Sequence, residues 1–333
     1  MKKLICLLAL FFFPSINLIN AQDRSFKEIS LKLDKKIKLS DYDIFRPNLL
    51  STNYKGDVVF FDYVKFQLVY YNIHDSKFKF IGGGKGRGPK EFNMIMDLKI
   101  DENGEVTLAD RDKIKIIKWN LEGEYLGEFK TKEKFIRPSR IAVCGSGDYI
   151  YILSSQYSPR GFIHYLNLSG QESNKSFLSI ESPDKRFPFF TDGELNCDQE
   201  NNLYYASRYV NSIKKFDPSG SIIFDIPVYG FEKNVTIMEK NGRMYTPAED
   251  VRRASGDIYR IEDNLYVGFS DSKYSKLKLI DVYNPENGEY KYSIDVPFKF
   301  NEFAISNKNI FYISEDSEGE IYLLIYTYDR NKL

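Results

Sequence analysis

One recurring pattern, a polar turn that leads directly into a β-rich run, constrains the fold of this 333-residue chain more than any other feature. The pattern is clearest between Ile81 and Phe129, where a glycine-rich turn precedes four short strand-like runs separated by polar turns. The predicted runs are Ile95–Ile100, Glu105–Ala109, Ile114–Trp119 and Glu124–Phe129. Four such runs form one antiparallel meander of about 45 residues, the size of a propeller blade. Because a lone meander cannot bury both faces, the chain should contain more of them.

The same polar turn occurs six times, at intervals of 48, 43, 54, 62 and 45 residues. The first residues of these turns, used here as anchors, are Gly56, Gly104, Gly147, Asn201, Asp263 and Lys308. The repeat predicts an all-β fold, a six-bladed β-propeller of four-stranded antiparallel blades. The longest interval contains an insertion over residues 229–249, for which one helical turn near Val235–Lys240 is expected.

The last blade lacks one strand at the C-terminal end of the chain. Only 25 residues follow Lys308, enough for two strands near 309–314 and 320–328 but not for a third. At the other end, Phe26–Leu39 alternates apolar and polar residues as a strand does. We therefore expect this N-terminal strand to complete the last blade and close the ring, which removes two exposed sheet edges.

The first 21 residues have the pattern of a signal peptide. Lys2 and Lys3 precede the apolar run Leu4–Phe13, and Ala21 offers a small residue for cleavage before Gln22. The apolar run is too short to span a bilayer, and no other stretch reaches the ~20 apolar residues that a membrane helix needs. The sequence thus predicts an exported protein, periplasmic or secreted, with a single domain over residues 22–333 and no transmembrane segment.

The charges of the mature chain are nearly balanced. Without Lys2 and Lys3, 45 basic residues face 47 acidic ones. This balance provides no long-range attraction to nucleic acid or to an anionic membrane. We expect a monomer with no nucleic-acid partner.

The mature chain contains two cysteines, Cys144 and Cys197. Each is predicted to lie in the first strand of its blade, the third and the fourth. We expect neighbouring innermost strands to diverge, whereas a disulfide requires Cα atoms within ~7 Å. The prediction is therefore two free, buried thiols.

The residues that usually hold metal ions are sparse or poorly spaced. The two histidines, His74 and His164, do not have a metal-ligand spacing. Asp62 and Asp110 share a register that fits either turn capping or Ca²⁺ ligation. The other blades carry Leu153, Ser207, Phe269 and Ser314 at that register. A carboxylate ring is thus missing, which favours capping; we expect no cofactor, and the ligand spacing does not support Ca²⁺.

The glycine-rich turn GKGRGPKEF and the runs DENGEVTLAD and KIKIIKWN resemble the NHL-type repeat and the exported six-bladed propellers common in Bacteroidetes. The matching residues are Gly84, Gly86, Gly88, Pro89, Glu91, Phe92, Asp101, Gly104, Ala109 and Asp110. The full motif occurs in one blade, and the others keep only its period. The resemblance implies the propeller fold, in a group that includes binding modules and a few enzymes.

Three arginines share a register ten residues before their anchors: Arg46, Arg137 and Arg253. This register falls at the start of the innermost strand, where successive blades surround one mouth of the channel. Guanidinium groups there would bind carboxylate or phosphate, so the implied ligand is anionic. The alternative is that each arginine pairs with a nearby carboxylate, such as Asp43 or Asp250.

The glycine-rich turn supplies two further candidate residues, Lys85 and Arg87, which could contact an anion. Phosphate-binding glycine loops lead into a helix, whereas a β segment follows here, so a purely structural crossover between blades is the alternative.

Two functional classes follow from these observations. The first is a binding or scaffolding module that recognises an envelope protein, a peptide or a glycan at its central mouth. The second is a propeller hydrolase or lyase that uses a central divalent cation. The scarcity of histidine and the missing carboxylate ring favour binding over catalysis.

Overall fold

The structure, a computed structural model, describes most of the predicted mature chain. The described residues are 24–27, 31–88, 90–130, 137–145, 147, 149–154, 163–167, 176–177, 192–208, 210–229, 238–240, 243–245, 257–269, 277–300 and 302–328. They form β-strands almost throughout, with a short 3-10 helix at Leu39–Tyr42. Within these ranges, none of the helical segments is long or apolar enough to cross a membrane.

Strand β1 spans Lys32–Lys38. Blade 1 contains β2 (Pro47–Thr52), β3 (Val58–Asp62), β4 (Gln67–Asn72) and β5 (Lys77–Ile81). Blade 2 contains β6 (Ile95–Ile100), β7 (Glu105–Asp110), β8 (Lys115–Asn120) and β9 (Tyr125–Lys130). Blade 3 contains β10 (Pro138–Cys144), β11 (Tyr149–Ser154), β12 (Ile163–Asn167) and β13 (Ser176–Phe177).

Blade 4 contains β14 (Gly193–Cys197), β15 (Leu203–Ser207), β16 (Ile213–Phe216) and β17 (Ile222–Ile226). A separate hairpin pairs β18 (Met238–Lys240) with β19 (Arg243–Tyr245). Blade 5 contains β20 (Ile258–Ile261), β21 (Asn264–Phe269), β22 (Leu277–Tyr283) and β23 (Tyr290–Phe300). Blade 6 contains β24 (Glu302–Ile305), β25 (Asn309–Glu315), β26 (Ile321–Thr327) and the N-terminal strand β1.

The predicted fold class is confirmed, including the closure of the ring. Blades 1 to 5 are antiparallel meanders in sequence order, and blade 6 has the order β24-β25-β26-β1. Strand β1 pairs with β26 from Lys32 opposite Thr327 to Lys38 opposite Tyr322. The first and last strands of the propeller thus lie side by side: β1 covers the edge of β26 and is itself the outermost strand of blade 6.

The N-terminal segment also contacts blade 5 before it enters blade 6. The backbone N–H of Lys27 donates to the carbonyl of Ser293 (3.1 Å), and the N–H of Ser293 donates to the carbonyl of Ser25 (2.9 Å). Residues 24–27 therefore contact blade 5, and strand β1 belongs to the adjacent blade 6.

The hydrophobic core consists of layers between adjacent blades. The second strand of each blade packs against neighbours on both faces, so β3 reads VVFFD with every residue buried. Between blades 1 and 2, the buried Phe61 lies edge-on to Phe92, with ring centroids 5.6 Å apart. The outermost strand β5 has exposed positions along much of its length. Propeller packing accounts for the apolar second strands and the half-polar fourth strands.

The prediction of two free thiols is wrong. Cys144 and Cys197 form a disulfide, and their Cα atoms are 5.0 Å apart. Both lie in the innermost strand of their blade, as predicted, but these strands are adjacent around the channel and do not diverge as we expected. Because each cysteine ends its strand, the disulfide joins blades 3 and 4 at the channel wall.

The helical turn expected within the 229–249 insertion is also wrong for its described part. Residues 238–240 form strand β18, which pairs with β19 as a short antiparallel hairpin. The rest of the insertion, residues 230–237 and 246–249 included, lies outside the described residues.

Candidate functional site in the central channel

The innermost strand of each blade lines a central channel. These strands are β2, β6, β10, β14, β20 and β24, and those of adjacent blades contact one another around the ring. We call the end at which these strands begin the upper mouth and the end at which they finish the lower mouth.

Each innermost strand is the last strand of its sheet. Some of its backbone N–H groups therefore have no partner strand on the channel side. At five blade boundaries, a side chain from the preceding blade accepts such an N–H. The pairs are Ser51 Oγ with Ile100 N (3.3 Å), Asp97 Oδ2 with Ile141 N (2.9 Å), Asn196 Oδ1 with Arg260 N (3.1 Å), Asp257 Oδ2 with Phe303 N (3.2 Å) and Glu302 Oε2 with Leu50 N (2.6 Å). These acceptors satisfy buried donors and tie the blades together, so most channel carboxylates have a structural role.

Between blades 3 and 4, an ion-pair network joins the two blades instead of such a hydrogen bond. The Arg140 Nε donates to Glu194 Oε1 (3.1 Å), and the same carboxylate forms an ion pair with Arg208. Asp192 lies within 3.9 Å of both guanidinium groups. Burial would raise the pKa of Glu194, but the adjacent Arg208 and Arg140 lower it to about 2. Glu194 is therefore ionised at neutral pH.

The other channel carboxylates are shifted in the opposite direction. Burial raises the pKa of Asp257 well above its usual value, and it also raises the pKa values of Asp97 and Glu302. The negative charge of Glu194 adds to all three shifts. Burial thus opposes the ionised form of each of these three carboxyl groups.

A cavity of about 80 Å³ opens at the lower mouth. Two cations line it from opposite sides of the ring, Lys99 on β6 of blade 2 and Arg260 on β20 of blade 5. Tyr259 and Tyr54 form part of the wall, and each hydroxyl donates to a backbone carbonyl of the other blade, Leu50 (3.2 Å) and Arg260 (3.3 Å) respectively. Both tyrosine hydroxyls thus have hydrogen-bond partners within the protein. Lys99 and Arg260 are the groups of the lining that could bind a ligand.

Neither Lys99 nor Arg260 has all of its N–H donors paired with other described residues. Burial lowers the pKa of Lys99, but Asp97 and Glu194 raise it above its usual value, so Lys99 is charged. Its ammonium lies 3.4 Å from Asp97 Oδ1. The Nε of Arg260 is buried and has no hydrogen-bond partner among the described residues, and the guanidinium lies 3.9 Å from Glu286. Both cations can therefore donate hydrogen bonds to a further, anionic partner.

The carboxylates that line the cavity are occupied by backbone groups. Asp101 Oδ1 accepts the N–H groups of its own turn, and Asp198 Oδ1 does the same in blade 4. Glu102 accepts the N–H of Tyr54 through both oxygens (3.1 and 3.3 Å). The Oδ2 of Asp101 makes no hydrogen bond within the part of the chain that the structure describes, and burial raises the pKa of this carboxyl. Within the described ranges, no group of three or more His, Cys, Asp or Glu side chains could hold a metal ion.

Arg46 and Arg137 lie where the register predicts, directly before β2 and β10 at the upper mouth, and both are exposed. Asp62 positions the first of them: its carboxylate accepts the backbone N–H of Arg46 (3.1 Å) and caps the turn at Val64 (2.9 Å). Arg253 lies outside the described residues. In blade 5 the residue directly before β20 is Asp257, so the ten-residue count does not reach the strand start there.

The two predicted residues of the glycine-rich turn lie on the upper face of blade 2, away from the lower-mouth cavity. The ammonium of Lys85 lies over the ring of Phe66, 5.5 Å from its centroid. Arg87 is exposed and lines a separate groove beside Lys113. Lys85 and Arg87 thus do not join Arg46 and Arg137 in one described cavity.

Sequence reasoning missed Lys99 and Arg260, although one of them has a recognisable signal. Lys99 lies five residues before the anchor Gly104, and Ser51 and Asn196 lie five before theirs. These are polar positions at one register of three innermost strands, the pattern of a channel-facing position. Arg260 lies three residues before its anchor because β20 and β21 are joined by a two-residue turn, which shortens the count.

Comparisons with known proteins agree with this fold. Among curated proteins, none matches the sequence. A solved structure of a Bacteroides fragilis protein, inferred to be exported, has a TM-score of 0.57 at 14% identity, covering 91% of this chain and 96% of that one. A streptogramin B lyase structure gives a TM-score of 0.54 at 14% identity, with coverages of 90% and 98%. A member of the DUF4221 family from Bacteroides vulgatus gives 0.54 at 8% identity, with coverages of 91% and 99%.

These identities are low enough that the likeness extends to the fold alone. A family model for DUF5128, described as a 6-bladed beta-propeller, matches residues 40–294, which include the innermost strands of blades 1 to 5. The chain therefore belongs to the DUF5128 family of six-bladed β-propellers.

Proposed function

We propose that this protein is an exported binding module that recognises a carboxylate group of a protein, peptide or glycan ligand at the lower mouth of its channel. One observation carries the proposal: Lys99 and Arg260 face one cavity whose own carboxylates are bound to backbone N–H groups. The upper-mouth hypothesis for Arg46, Arg137 and Arg253 stays a prediction, since Arg253 lies outside the described residues.

The hydrogen-bond donors of the cavity favour a carboxylate, although three carboxylates and two cations line it. A buried guanidinium nitrogen without a partner is costly, and a ligand oxygen at Arg260 Nε would satisfy it. Lys99 offers a compact positive charge from the opposite wall, so a carboxylate between the two would be held from both sides. A cavity of about 80 Å³ accommodates a carboxylate group but not a whole saccharide or residue. The remainder of the ligand would therefore rest on the rim.

Two observations support export. The N-terminal 21 residues have a signal-peptide pattern, and the mature chain contains a disulfide between Cys144 and Cys197. Disulfides of this kind form and persist in oxidising compartments such as the periplasm or the cell exterior.

Thermal-shift titration with matched acid and neutral probes tests the proposal. Trialanine would be compared with its C-terminal amide, and galacturonate with galactose, at constant ionic strength. We expect the acid of at least one pair to raise the melting temperature while its neutral partner does not. A ligand at 100 times its Kd stabilises the folded state by about 2.7 kcal/mol, which such a measurement detects readily.

The cavity variants Arg260→Gln and Lys99→Met should each weaken acid binding at least tenfold. Lys77→Gln is the matched control, because it removes one exposed positive charge from β5, the outermost strand of blade 1. Equal acid binding by Arg260→Gln and Lys77→Gln would contradict the cavity assignment. A wild-type protein that distinguishes neither acid from its neutral partner would contradict carboxylate recognition itself.

A further inference from the structure

We infer that a second site, a groove on blade 2 remote from the lower mouth, binds a tetrahedral oxyanion, the phosphate or sulfate group of a monoester. The groove has a volume of about 580 Å³ and lies where the glycine-rich turn meets strands β8 and β9. Its charged lining consists of Arg87, Asp112, Lys113, Lys115, Glu128 and Lys130. Four cations thus face two carboxylates.

Both carboxylates are engaged within the groove. Glu128 forms an ion pair with Lys115, and this hydrogen bond is the main reason that the pKa of Glu128 is lowered. Asp112 accepts a hydrogen bond from Asn93 Nδ2 (3.2 Å). Neither carboxylate is paired with Arg87 or Lys130 in the described part of the chain.

Lys113 is a fixed donor at the base of the groove. Its ammonium donates to the carbonyls of Gly88 (2.9 Å) and Glu91 (2.7 Å), both in the glycine-rich turn. An ammonium has three N–H donors, so one remains for a ligand. Burial and the nearby positive charge of Lys115 lower the pKa of Lys113. The carboxylates of Asp110, Glu91 and Glu128 act in the opposite direction, but the net shift of this pKa is downward.

Arg87 and Lys130 complete the donor set from the two sides of the groove. Arg87 belongs to the glycine-rich turn, whereas Lys130 ends β9 and lies opposite Lys115 in the β8–β9 ladder. Both side chains are exposed, and neither forms an ion pair with another described residue. Donors from three separate chain segments suit a tetrahedral anion with several oxygens better than a planar carboxylate, which one guanidinium can satisfy.

The volume indicates that the oxyanion is part of a larger molecule. A groove of about 580 Å³ falls within the usual size of small-molecule sites, whereas a free ion would fill only a small part of it. The glycine-rich turn thus has a second role beyond carrying the chain from blade 1 to blade 2. The turn supplies Arg87 to the groove, and its carbonyl groups hold the ammonium of Lys113 in place.

Isothermal titration at constant ionic strength tests the inference with three probes: glucose 6-phosphate, glucose 6-sulfate and inorganic phosphate. We expect saturable binding of at least one ester by the wild-type protein and at least tenfold weaker binding by Arg87→Gln and by Lys130→Gln. Preference for one ester identifies the group as phosphate or as sulfate. Inorganic phosphate that binds as tightly as the better ester would overturn the claim that the groove holds a larger molecule.

Lys308→Gln is the matched control, because it removes one exposed positive charge from the far side of the propeller. Ester binding that falls equally in Lys308→Gln and Arg87→Gln would show charge screening alone and would overturn the site. Absence of saturable ester binding would do the same. Arg260→Gln should leave ester binding unchanged, so this experiment and the test of the lower-mouth cavity can fail separately.

Discussion

The guanidinium of Arg24 forms an ion pair with the fully buried carboxylate of Asp281, 257 residues further along the chain. Arg24 also donates to the carbonyl of Tyr229 and to the hydroxyl of Ser293 (3.2 Å). Asp281 lies in the middle of β22, so the first described residue of the chain reaches the interior of blade 5. The N-terminal segment is therefore an internal part of the fold as well as its closing strand.

Substitution of Arg24 by Gln should cost about 3 to 5 kcal/mol in the free energy of unfolding, because it leaves Asp281 buried without its cation. Urea denaturation measures this directly. Lys65→Gln is the control, since Lys65 pairs with the largely exposed Asp43 and should cost less than about 1 kcal/mol. Equal stabilities of the two variants would contradict a structural role for the Arg24 ion pair.

Deletion of residues 23–40 should abolish cooperative unfolding or cause aggregation. The deletion removes β1 and exposes the edge of β26, which would then be free to pair with other chains. Size-exclusion chromatography and thermal denaturation report the two effects. A synthetic peptide of residues 23–40, added in trans, should restore the monomer by strand addition. A monomeric deletion variant with an unchanged melting temperature would contradict closure by β1.

The fold could be predicted from the sequence because its signals are local and repeated. The anchors mark the turns between first and second strands, and alternation in Phe26–Leu39 identified the closing strand. The predicted run Ile95–Ile100 matches β6, while later runs of the same blade differ by one residue at their ends. Polar turns thus fix the register of a meander, although they define strand ends less sharply.

The site could be predicted only in part, because it depends on distances between blades. The spacing of Cys144 and Cys197 in the sequence does not show that the ends of β10 and β14 lie close enough for a disulfide. The arginine register placed Arg46 and Arg137 directly before an innermost strand, β2 and β10 respectively. It could not show that the described central cavity lies at the opposite end, where Lys99 and Arg260 face each other across the ring.

Thiol titration of the denatured, unreduced mature protein should find no free thiol. Reduction should release two and lower the free energy of unfolding by about 2 to 4 kcal/mol, because the disulfide closes a loop of 53 residues. A double Cys144→Ser and Cys197→Ser variant should lose stability to a similar extent and no longer respond to reductant. Two reactive thiols in the unreduced protein would contradict the disulfide.

Acid should weaken the fold through Glu194. Its pKa is lowered from 4.5 to about 2, so the stability that it contributes is complete above pH 4.5 and is lost as the pH falls from 4.5 toward 2. Glu194→Gln should be less stable at neutral pH by about 3 to 5 kcal/mol, because Arg140 and Arg208 lose their buried carboxylate partner and keep only the more distant Asp192. Its stability should also change less between pH 4.5 and 2 than that of the wild type, as measured by urea denaturation.

Asp257→Asn is the control for this acid response. The pKa of Asp257 is raised, so its protonation on acidification favours the folded state, and an amide can still accept the N–H of Phe303. The variant should keep the loss of stability below pH 4.5 and should gain stability at neutral pH. A Glu194→Gln variant with the wild-type acid response would show that other groups control it.

The pairing of β1 with β26 has a consequence for the order of events during synthesis. Lys32 leaves the ribosome early, but its partner Thr327 follows 295 residues later. Until then, the nascent chain can build the first five blades but has no blade 6 between blades 5 and 1. Contacts this distant in sequence slow folding and leave intermediates prone to aggregation. The architecture that joins the two ends of the chain within one blade thus makes the growing chain most dependent on protection just before its synthesis ends.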